Sequence, residues 1–183
     1  SNSRWRPAPA ARKGTMSGIA LGRLQAERKQ WRKDRPYRFV AKPKAKPDGS
    51  QDLLTWECRV PGKAGTIWSA GEYDVILKFS SDYPAKPPVC YFAYPMPHPN
   101  VYPPDPGSKH CKICLSIIND PQSGGTWVPA LGIKQILLGI QELLDNPNND
   151  DAAEQKSHDM YKYHRAKYIE EVKAFAHRHA PTE

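Results

Sequence analysis

The clearest hydrophobic pattern lies in the last third of the chain, where apolar side chains recur every three or four residues. This spacing predicts an amphipathic helix that ends at Asn146-Pro147-Asn148, a sequence typical of residues just beyond a helix. Residues 152–179 also have a helical pattern, with a break expected near residues 157–162. The apolar positions of the first of these helices are Ile133, Ile136, Leu137, Ile140, Leu143 and Leu144.

The same period appears near the N-terminus. From residue 17 a helix is predicted, and it is expected to end before Pro36 because the residue preceding a proline disfavours helical backbone. The apolar side of this helix is formed by Leu21, Leu24 and Trp31.

Four stretches between these helices have the character of strands, with turn signals such as Pro47-Asp48-Gly49 between them. Sequential strands with short connections favour an antiparallel meander, so an α+β domain with four strands is predicted. Residues 84–106 contain nine prolines, which predicts a long ordered loop or an extended wall rather than a helix or a central strand. The predicted strands are residues 37–42, 53–60, 73–79 and 89–92.

Composition is typical of one globular domain. Of the 183 residues, 39% are apolar and 25% are charged, and no apolar run approaches the roughly 20 residues that span a bilayer. Four cysteines and the lack of an export signal favour a reducing compartment, so the nucleus and the cytoplasm are expected. Residues 1–15 are basic and rich in proline and alanine, and are expected to be a disordered leader, in part vector-derived, before a domain of residues 16–183.

Charge is distributed unevenly. Residues 1–50 hold 14 Lys and Arg against 3 Asp and Glu, whereas the other residues hold 13 against 16. Pairs at helical spacing place much of this charge on one face of the first helix, a basic surface formed by Arg28, Lys29, Arg32, Lys33 and Arg35. This surface is expected to dock something acidic. Without a recognition-helix motif or interleaved aromatic residues, a protein partner is favoured and nucleic acid is not expected.

Candidate chemistry lies between His98 and Ile117. A cysteine such as Cys114 is useful as an acyl carrier because its thiolate is a strong nucleophile and a thioester stays reactive toward amines. The side-chain amide of a nearby residue such as Asn100 can donate a hydrogen bond to the oxyanion that forms during attack. Neither residue is specific alone, since a single cysteine beside leucine is most often core filler.

The whole pattern resembles the ubiquitin-conjugating enzyme family. It consists of His-Pro-Asn, a spacer, Cys-Leu-x-Ile, then Trp-x-Pro-Ala and an amphipathic helix. The likeness covers residues 17–180 and is strongest to the branch that conjugates SUMO, on the stretches SGIALGRLQAERKQWRKD, HPNVYP and IKQILLGIQELL. It implies the ubiquitin-conjugating fold and a transferase that accepts the modifier as a thioester on Cys114 and passes it to substrate lysines as an isopeptide.

The resemblance also implies roles for residues around the cysteine. Asn100 matches the residue that supports the oxyanion, and a partly structural role stays open. Tyr102 and Asp151 match positions that flank the cysteine and steer the lysine; a carboxylate there can hold the ammonium and help it lose a proton. His98, together with Pro99, is expected to fix the loop rather than to transfer protons.

Partners are implied in the same way: a SUMO-type modifier, a SUMO-activating enzyme, SUMO ligases and lysine-bearing substrate proteins. The basic surface is expected to bind the modifier non-covalently, away from the active site, and the first helix to help engage the activating enzyme. No membrane partner, metal or organic cofactor is implied, since the activating enzyme uses the ATP.

The chain departs from the family pattern at three places. At one of them, Ala152, Ala153 and Glu154 follow Asp151 where the SUMO branch has a proline and an alanine. Residues 103–113 are about six residues longer than in SUMO-conjugating relatives and add Cys111. A Cys111-x-x-Cys114 zinc site is disfavoured because zinc needs about four ligands, so a reversible disulfide is the stronger alternative. Val89 and Tyr91 stand where relatives carry lysines, which puts a preference for acidic residues downstream of the target lysine in doubt.

Three other functions stay open. The same chemistry with ubiquitin is disfavoured by the Pro47-Asp48-Gly49-Ser50 hairpin and the basic first helix. An inactive binding module of the same fold usually lacks the cysteine, which this chain retains beside its expected partners. A small nucleic-acid-binding protein rests on charge alone.

Overall fold

The computed structural model describes residues 14–181 of the chain, with side chains from residue 18 onward. The first helix begins at Gly14, three residues before the predicted start, so two residues assigned to the leader are helical; the rest of that leader lies outside the described residues. The helices are α1 (Gly14–Lys33), α2 (Ile133–Asp145), α3 (Gln155–Tyr163) and α4 (Arg165–Arg178). The strands are β1 (Val40–Ala45), β2 (Gln51–Pro61), β3 (Glu72–Lys78), β4 (Val89–Phe92) and β5 (Cys111–Lys112).

The strands form one antiparallel sheet in the order β1-β2-β3-β4-β5. The predicted meander and the α+β class are confirmed, but the sheet has five strands rather than four. The additional strand, β5, has only two residues and lies in the long insertion. It is too short to produce an alternating pattern in the sequence. It also makes β4 a central strand within the proline-rich segment, which is possible because none of the four residues of β4 is a proline.

The first strand begins three residues later than predicted. Arg38 has a φ of 66°, in the left-handed region, and Phe39 N donates to Pro36 O over 3.2 Å. Residues 36–39 therefore form a turn, and the side chain of Tyr37 is 89% exposed. The aromatic and basic residues that suggested a strand belong to this turn.

The core lies between the inner face of the sheet and the helices. The inner positions of β2 and β3 alternate with outward residues that are mostly polar, and Trp56, Tyr73 and Leu77 are completely buried. The six apolar residues predicted for α2 are all buried, which confirms that stripe. The C-terminal helical pattern breaks at His164, just beyond the predicted region. No helix within residues 14–181 has the length and apolar character needed to cross a bilayer.

A carboxylate on α1 fixes the start of α2. Glu27 Oε2 accepts from Ile133 N over 2.7 Å, which satisfies a free amide in the first turn of α2 and places negative charge at the positive end of its dipole. The same carboxylate accepts from Arg23 Nε over 2.7 Å and from the Tyr83 hydroxyl. Helix α2 is therefore held rigidly at its N-terminus, and its other end leads into the loop of residues 146–154 at the candidate site.

Candidate active site

The insertion forms a loop whose two ends are held together by hydrogen bonds. Val101 and Ile113 form an antiparallel bridge at its base, and Tyr102 N donates to Lys112 O over 2.9 Å. At its tip, Gly107 has a φ of 82°, which a residue with a side chain rarely adopts. Because the base is closed, the segments on either side of the extra residues stay adjacent.

Those two segments bring Asn100 and Cys114 together. Cys114 N donates to Asn100 O over 2.9 Å. Asn100 is 1% exposed, and its backbone is part of the turn that begins at His98. The sequence predicted that Asn100 and Cys114 belong to one site, and this backbone hydrogen bond makes them neighbours in the structure.

The Asn100 side chain holds the loop that follows α2. Its Nδ2 donates to Asn148 O and to Asp151 O, each over 2.8 Å, and its Oδ1 accepts from Asn148 N over 2.8 Å. Both amide hydrogens are thus engaged with backbone carbonyls. In this state Asn100 positions the Asp151 loop, and stabilising an oxyanion would require one of these hydrogens to turn toward the cysteine.

The residue before Asn100 fastens the same loop further along. Pro99 O accepts from Ala153 N over 2.8 Å and from Glu154 N over 3.0 Å. Glu154 then caps α3, since its carboxylate accepts from Lys156 N and Ser157 N. The loop carrying Asp151 is therefore fixed on both sides of that residue.

His98 lies beneath this arrangement and is completely buried. Its Nδ1 accepts from Asn100 N over 3.1 Å, so its Nε2 carries the proton and donates to Leu143 O over 2.9 Å. Burial lowers the pKa of His98 to about 4, although the backbone carbonyls oppose that shift. Because both nitrogens of this buried, neutral imidazole are hydrogen-bonded, His98 has a structural role and holds the turn at Asn100 against α2.

We expect this imidazole to make the fold acid-sensitive. Between pH 6.5 and about 4 the unfolded chain binds a proton at His98 and the folded chain does not, so the free energy of unfolding falls as the pH falls through that window. The loss approaches about 3 kcal/mol. Urea unfolding of wild type and His98→Gln from pH 7 to pH 4 measures this loss. In His98→Gln the free energy of unfolding should depend less on pH, by the uptake of one proton. His177→Gln, at an exposed position, should keep the pH dependence of wild type. Identical slopes for all three would contradict the assignment.

Cys114 opens onto a surface groove that encloses about 360 Å³. The thiol is partly exposed, and Cys114 Sγ donates toward Asp151 Oδ2 over 3.5 Å. Tyr102, which is 40% exposed, lines the same groove. The structure therefore places a thiol, a carboxylate and a phenol at one accessible point.

The surroundings of Cys114 favour the neutral thiol. Burial and the neighbouring Asp151 carboxylate raise its pKa above the ordinary value, while hydrogen bonds from Tyr102 and Asn119 act in the opposite direction. The pKa of the Tyr102 hydroxyl is raised in turn, mainly by the charge on Cys114. The Cys114 thiol is therefore not activated by its own surroundings.

Sequence reasoning missed several residues of the groove, among them Asn119 and Lys112. Asn119 lies five residues beyond the cysteine, after a short 3-10 turn, and Lys112 lies two residues before it in β5. Their closeness along the chain was the only available signal. Neither belongs to a motif, and their shared groove depends on how the insertion returns to the sheet.

Cys111 lies on the other face of the segment. Cys111 and Ile113 are buried, whereas Lys112 is exposed and Cys114 partly exposed, as expected when successive side chains alternate. Cys111 lines a separate groove together with Met160 and Phe175. Because the two cysteines point to opposite sides, a Cys111–Cys114 disulfide requires the backbone to rearrange, and the structure disfavours that alternative.

The basic surface of α1 is separate from the groove. Lys29, Arg32, Lys33 and Arg35 are exposed and Arg28 is partly buried. Among residues 18–181 none of these five forms a salt bridge, and none lines the groove at Cys114. Within the described part of the chain, no group of three or more His, Cys, Asp or Glu is arranged to hold a metal ion.

Comparison with known proteins places this geometry in context. A family model described as "Ubiquitin-conjugating enzyme" matches residues 23–176. A SUMO-conjugating enzyme, UBC9, of Caenorhabditis elegans is 44% identical over 165 residues, which cover 90% of this chain and 94% of that protein. The SUMO-conjugating enzyme SCE1 of Arabidopsis thaliana is 46% identical, covering 86% and 92%, and that of Dictyostelium discoideum, ubc9, is 45% identical, covering 87% and 94%.

Proposed function

The chain belongs to the ubiquitin-conjugating enzyme family, and we propose that it is a SUMO-conjugating enzyme whose thioester cysteine is Cys114. Such an enzyme accepts the modifier from a SUMO-activating enzyme and transfers it to lysines of substrate proteins. The observation that carries the assignment of the site is the accessible Cys114 thiol, 3.5 Å from the Asp151 carboxylate in an open groove.

The first step is a transfer between two sulfurs. The Cys114 thiol loses its proton and attacks the carbonyl carbon of the thioester on the activating enzyme. The oxyanion intermediate then collapses, the sulfur of the activating enzyme leaves as a thiolate, and the modifier is bound to Cys114. No energy source is needed at this step because one thioester replaces another.

The second step moves the modifier to nitrogen. We assign Asp151 the task of holding the ammonium of a substrate lysine, orienting it and helping it lose a proton. The free amine attacks the thioester carbon, the oxyanion collapses, and the Cys114 sulfur leaves as a thiolate that regains a proton. An isopeptide bond has then replaced the thioester.

We assign Asn100 two contributions to that step. Its three hydrogen bonds hold the Asp151 loop beside the cysteine. In addition, one amide hydrogen turned toward the groove would stabilise the oxyanion. Tyr102, at the wall of the groove, supplies a flat surface along which the lysine side chain can lie.

The basic surface of α1 supports a second binding role. Its uncompensated positive charge on an exposed face fits an acidic partner, and we assign it to non-covalent binding of the modifier, with α1 also contributing to docking of the activating enzyme. SUMO ligases are proposed as further partners, and the nucleus and the cytoplasm as the sites of action.

Charging assays test the choice of modifier. Purified SUMO or ubiquitin is incubated with its own activating enzyme, ATP and this protein, and the products are separated without reductant. We expect a DTT-sensitive adduct with SUMO and at most a trace with ubiquitin. An adduct with ubiquitin but none with SUMO would overturn the proposal.

A further inference from the structure

The groove that opens at Cys114 contains a lysine of the chain itself. Among the described residues that line this groove, Lys112 is the only lysine, and it shares the groove with Cys114, Tyr102 and Asp151. Lys112 belongs to the end of the insertion, and a single residue, Ile113, separates it from the cysteine. The insertion thus places an amine of the protein beside the proposed acyl carrier.

Lys112 and Cys114 face the same side of their segment. Ile113 between them is buried, whereas Lys112 is exposed and Cys114 is partly exposed, as expected when successive side chains of an extended chain alternate. Two residues along extended backbone separate their α carbons by about 6.6 Å. The side chain of a lysine carries its amine on a flexible stem of four carbons, so the Lys112 amine can reach the Cys114 sulfur.

The backbone of this segment is held in place at each of the three residues. Tyr102 N donates to Lys112 O, Ile113 N donates to Cys90 O, and Cys114 N donates to Asn100 O, each over 2.9 Å. These hydrogen bonds keep both side chains on the groove side. What stays free to move is the long side chain of Lys112.

That side chain is not engaged elsewhere. Over residues 18–181, no salt bridge includes Lys112. The Asp151 carboxylate, with its Oδ2 3.5 Å from Cys114 Sγ, offers the Lys112 ammonium a place beside the sulfur. An exposed lysine is usually only a solvated surface group. Here its attachment two residues from the thioester gives it a high effective concentration at the reacting carbon.

We propose that Lys112 is a self-modification site, which takes the modifier from Cys114 of the same molecule when no substrate lysine is bound. This inference rests on the proposed function, since it assumes that the modifier is carried on Cys114. Lys112 Nζ, having lost a proton, forms a bond to the thioester carbon, and the bond from that carbon to the Cys114 sulfur breaks. The sulfur leaves as a thiolate and takes up a proton. The modifier is then linked to Lys112 by an isopeptide bond.

This transfer makes the insertion a device that inactivates idle enzyme. A protein modifier fixed to Lys112 stands at the edge of the groove and obstructs both the activating enzyme and the substrate, although the Cys114 thiol is free again. A substrate lysine in the groove competes with Lys112 for the same thioester. Self-modification is therefore greatest when enzyme is charged in the absence of an acceptor.

The test follows charged enzyme with no acceptor present. Wild type, Lys112→Arg and Lys109→Arg are charged with SUMO, charging is stopped by chelating the magnesium of the ATP, and samples taken over time are separated with and without DTT. The measured quantity is the DTT-resistant product formed per molecule of DTT-sensitive adduct, so that any change in charging cancels. Lys109 is the matched control, because it is exposed in the same segment but lines a different groove.

Wild type and Lys109→Arg should convert the thioester into a DTT-resistant product that carries one modifier. The rate constant should be unchanged when the enzyme is diluted by about tenfold, as for a reaction within one molecule. Lys112→Arg should form at least about tenfold less product, because a guanidinium stays protonated and is not a nucleophile. Mass spectrometry should locate the branch on Lys112, where trypsin then fails to cleave, and a lysine peptide added as acceptor should suppress the product.

Three results would overturn the self-modification site. Wild type might lose its thioester by hydrolysis without forming a DTT-resistant product, or Lys112→Arg might form as much of that product as wild type. A tagged Cys114→Ala protein, which keeps Lys112 but carries no thioester, might be modified by charged wild type, which would show transfer between molecules. Failure of wild type to accept SUMO at all is a different result, and it would reject the proposed function itself.

Discussion

Replacing Cys114 with serine is expected to abolish the DTT-sensitive adduct and to lower transfer of SUMO to lysine by at least about 10³-fold, because the covalent route then lacks its thioester. The hydroxyl occupies nearly the same place beside Asp151. The variant should therefore either trap the modifier as a DTT-resistant oxyester or remain uncharged. Non-reducing gels, run with and without DTT, distinguish these results.

The matched control is Cys111→Ser, three residues away in the same segment. Cys111 is buried on the opposite face and lines a different groove, so this variant should charge like wild type once its folding is verified. A DTT-sensitive adduct on Cys114→Ser, with none on Cys111→Ser, would move the nucleophile to Cys111 and contradict the account.

Replacing Asn100 with alanine is expected to have the second-largest effect. It removes three partly buried hydrogen bonds to the backbone of residues 148–151, which should lower the free energy of unfolding by about 2–4 kcal/mol. Transfer to lysine should fall by about 10²-fold or more, since the Asp151 loop loses its anchor and the oxyanion its proposed donor. Charging should fall less, because the nucleophile in that step is Cys114 itself and no lysine has to be oriented by Asp151.

Asp151→Asn separates the two contributions of Asn100. This change removes the carboxylate but keeps the backbone carbonyl that Asn100 binds. If Asn100 only positions the loop, then Asn100→Ala should add nothing to the transfer defect in an Asp151→Asn background; a further loss in the double variant supports the oxyanion role. Normal transfer by Asn100→Ala, with the expected loss of stability, would leave Asn100 with a structural role alone.

The elements that could be predicted from the sequence are those whose pattern is produced by a fully buried face. The stripe on α2 is one, since its six apolar residues all lie in the core. The start of β1 was predicted three residues too early, because Arg38 adopts a left-handed backbone conformation that the composition of the segment does not reveal. β5 was missed because two residues are too few for a pattern and its pairing depends on closure of the insertion.

The candidate site was predicted through a motif rather than through geometry. Cys114 and Asp151 are 37 residues apart. They are brought together by the hydrogen bonds that Pro99 O and the Asn100 side chain make with the backbone of the loop after α2. Such bonds depend on the three-dimensional path of the loop after α2. That Lys112 lines the groove could not be predicted either, because its place depends on cross-strand pairing with Tyr91.

Differential alkylation tests the central claim most directly. Enzyme charged with SUMO is denatured at mildly acidic pH with N-ethylmaleimide to block free thiols, then treated with DTT to release the modifier, and the freed thiol is labelled with iodoacetamide. Trypsin cleaves after Lys112, so Cys111 and Cys114 fall in different peptides that mass spectrometry separates. The account predicts the second label on the Cys114 peptide alone; the second label on the Cys111 peptide, or on neither, would contradict it.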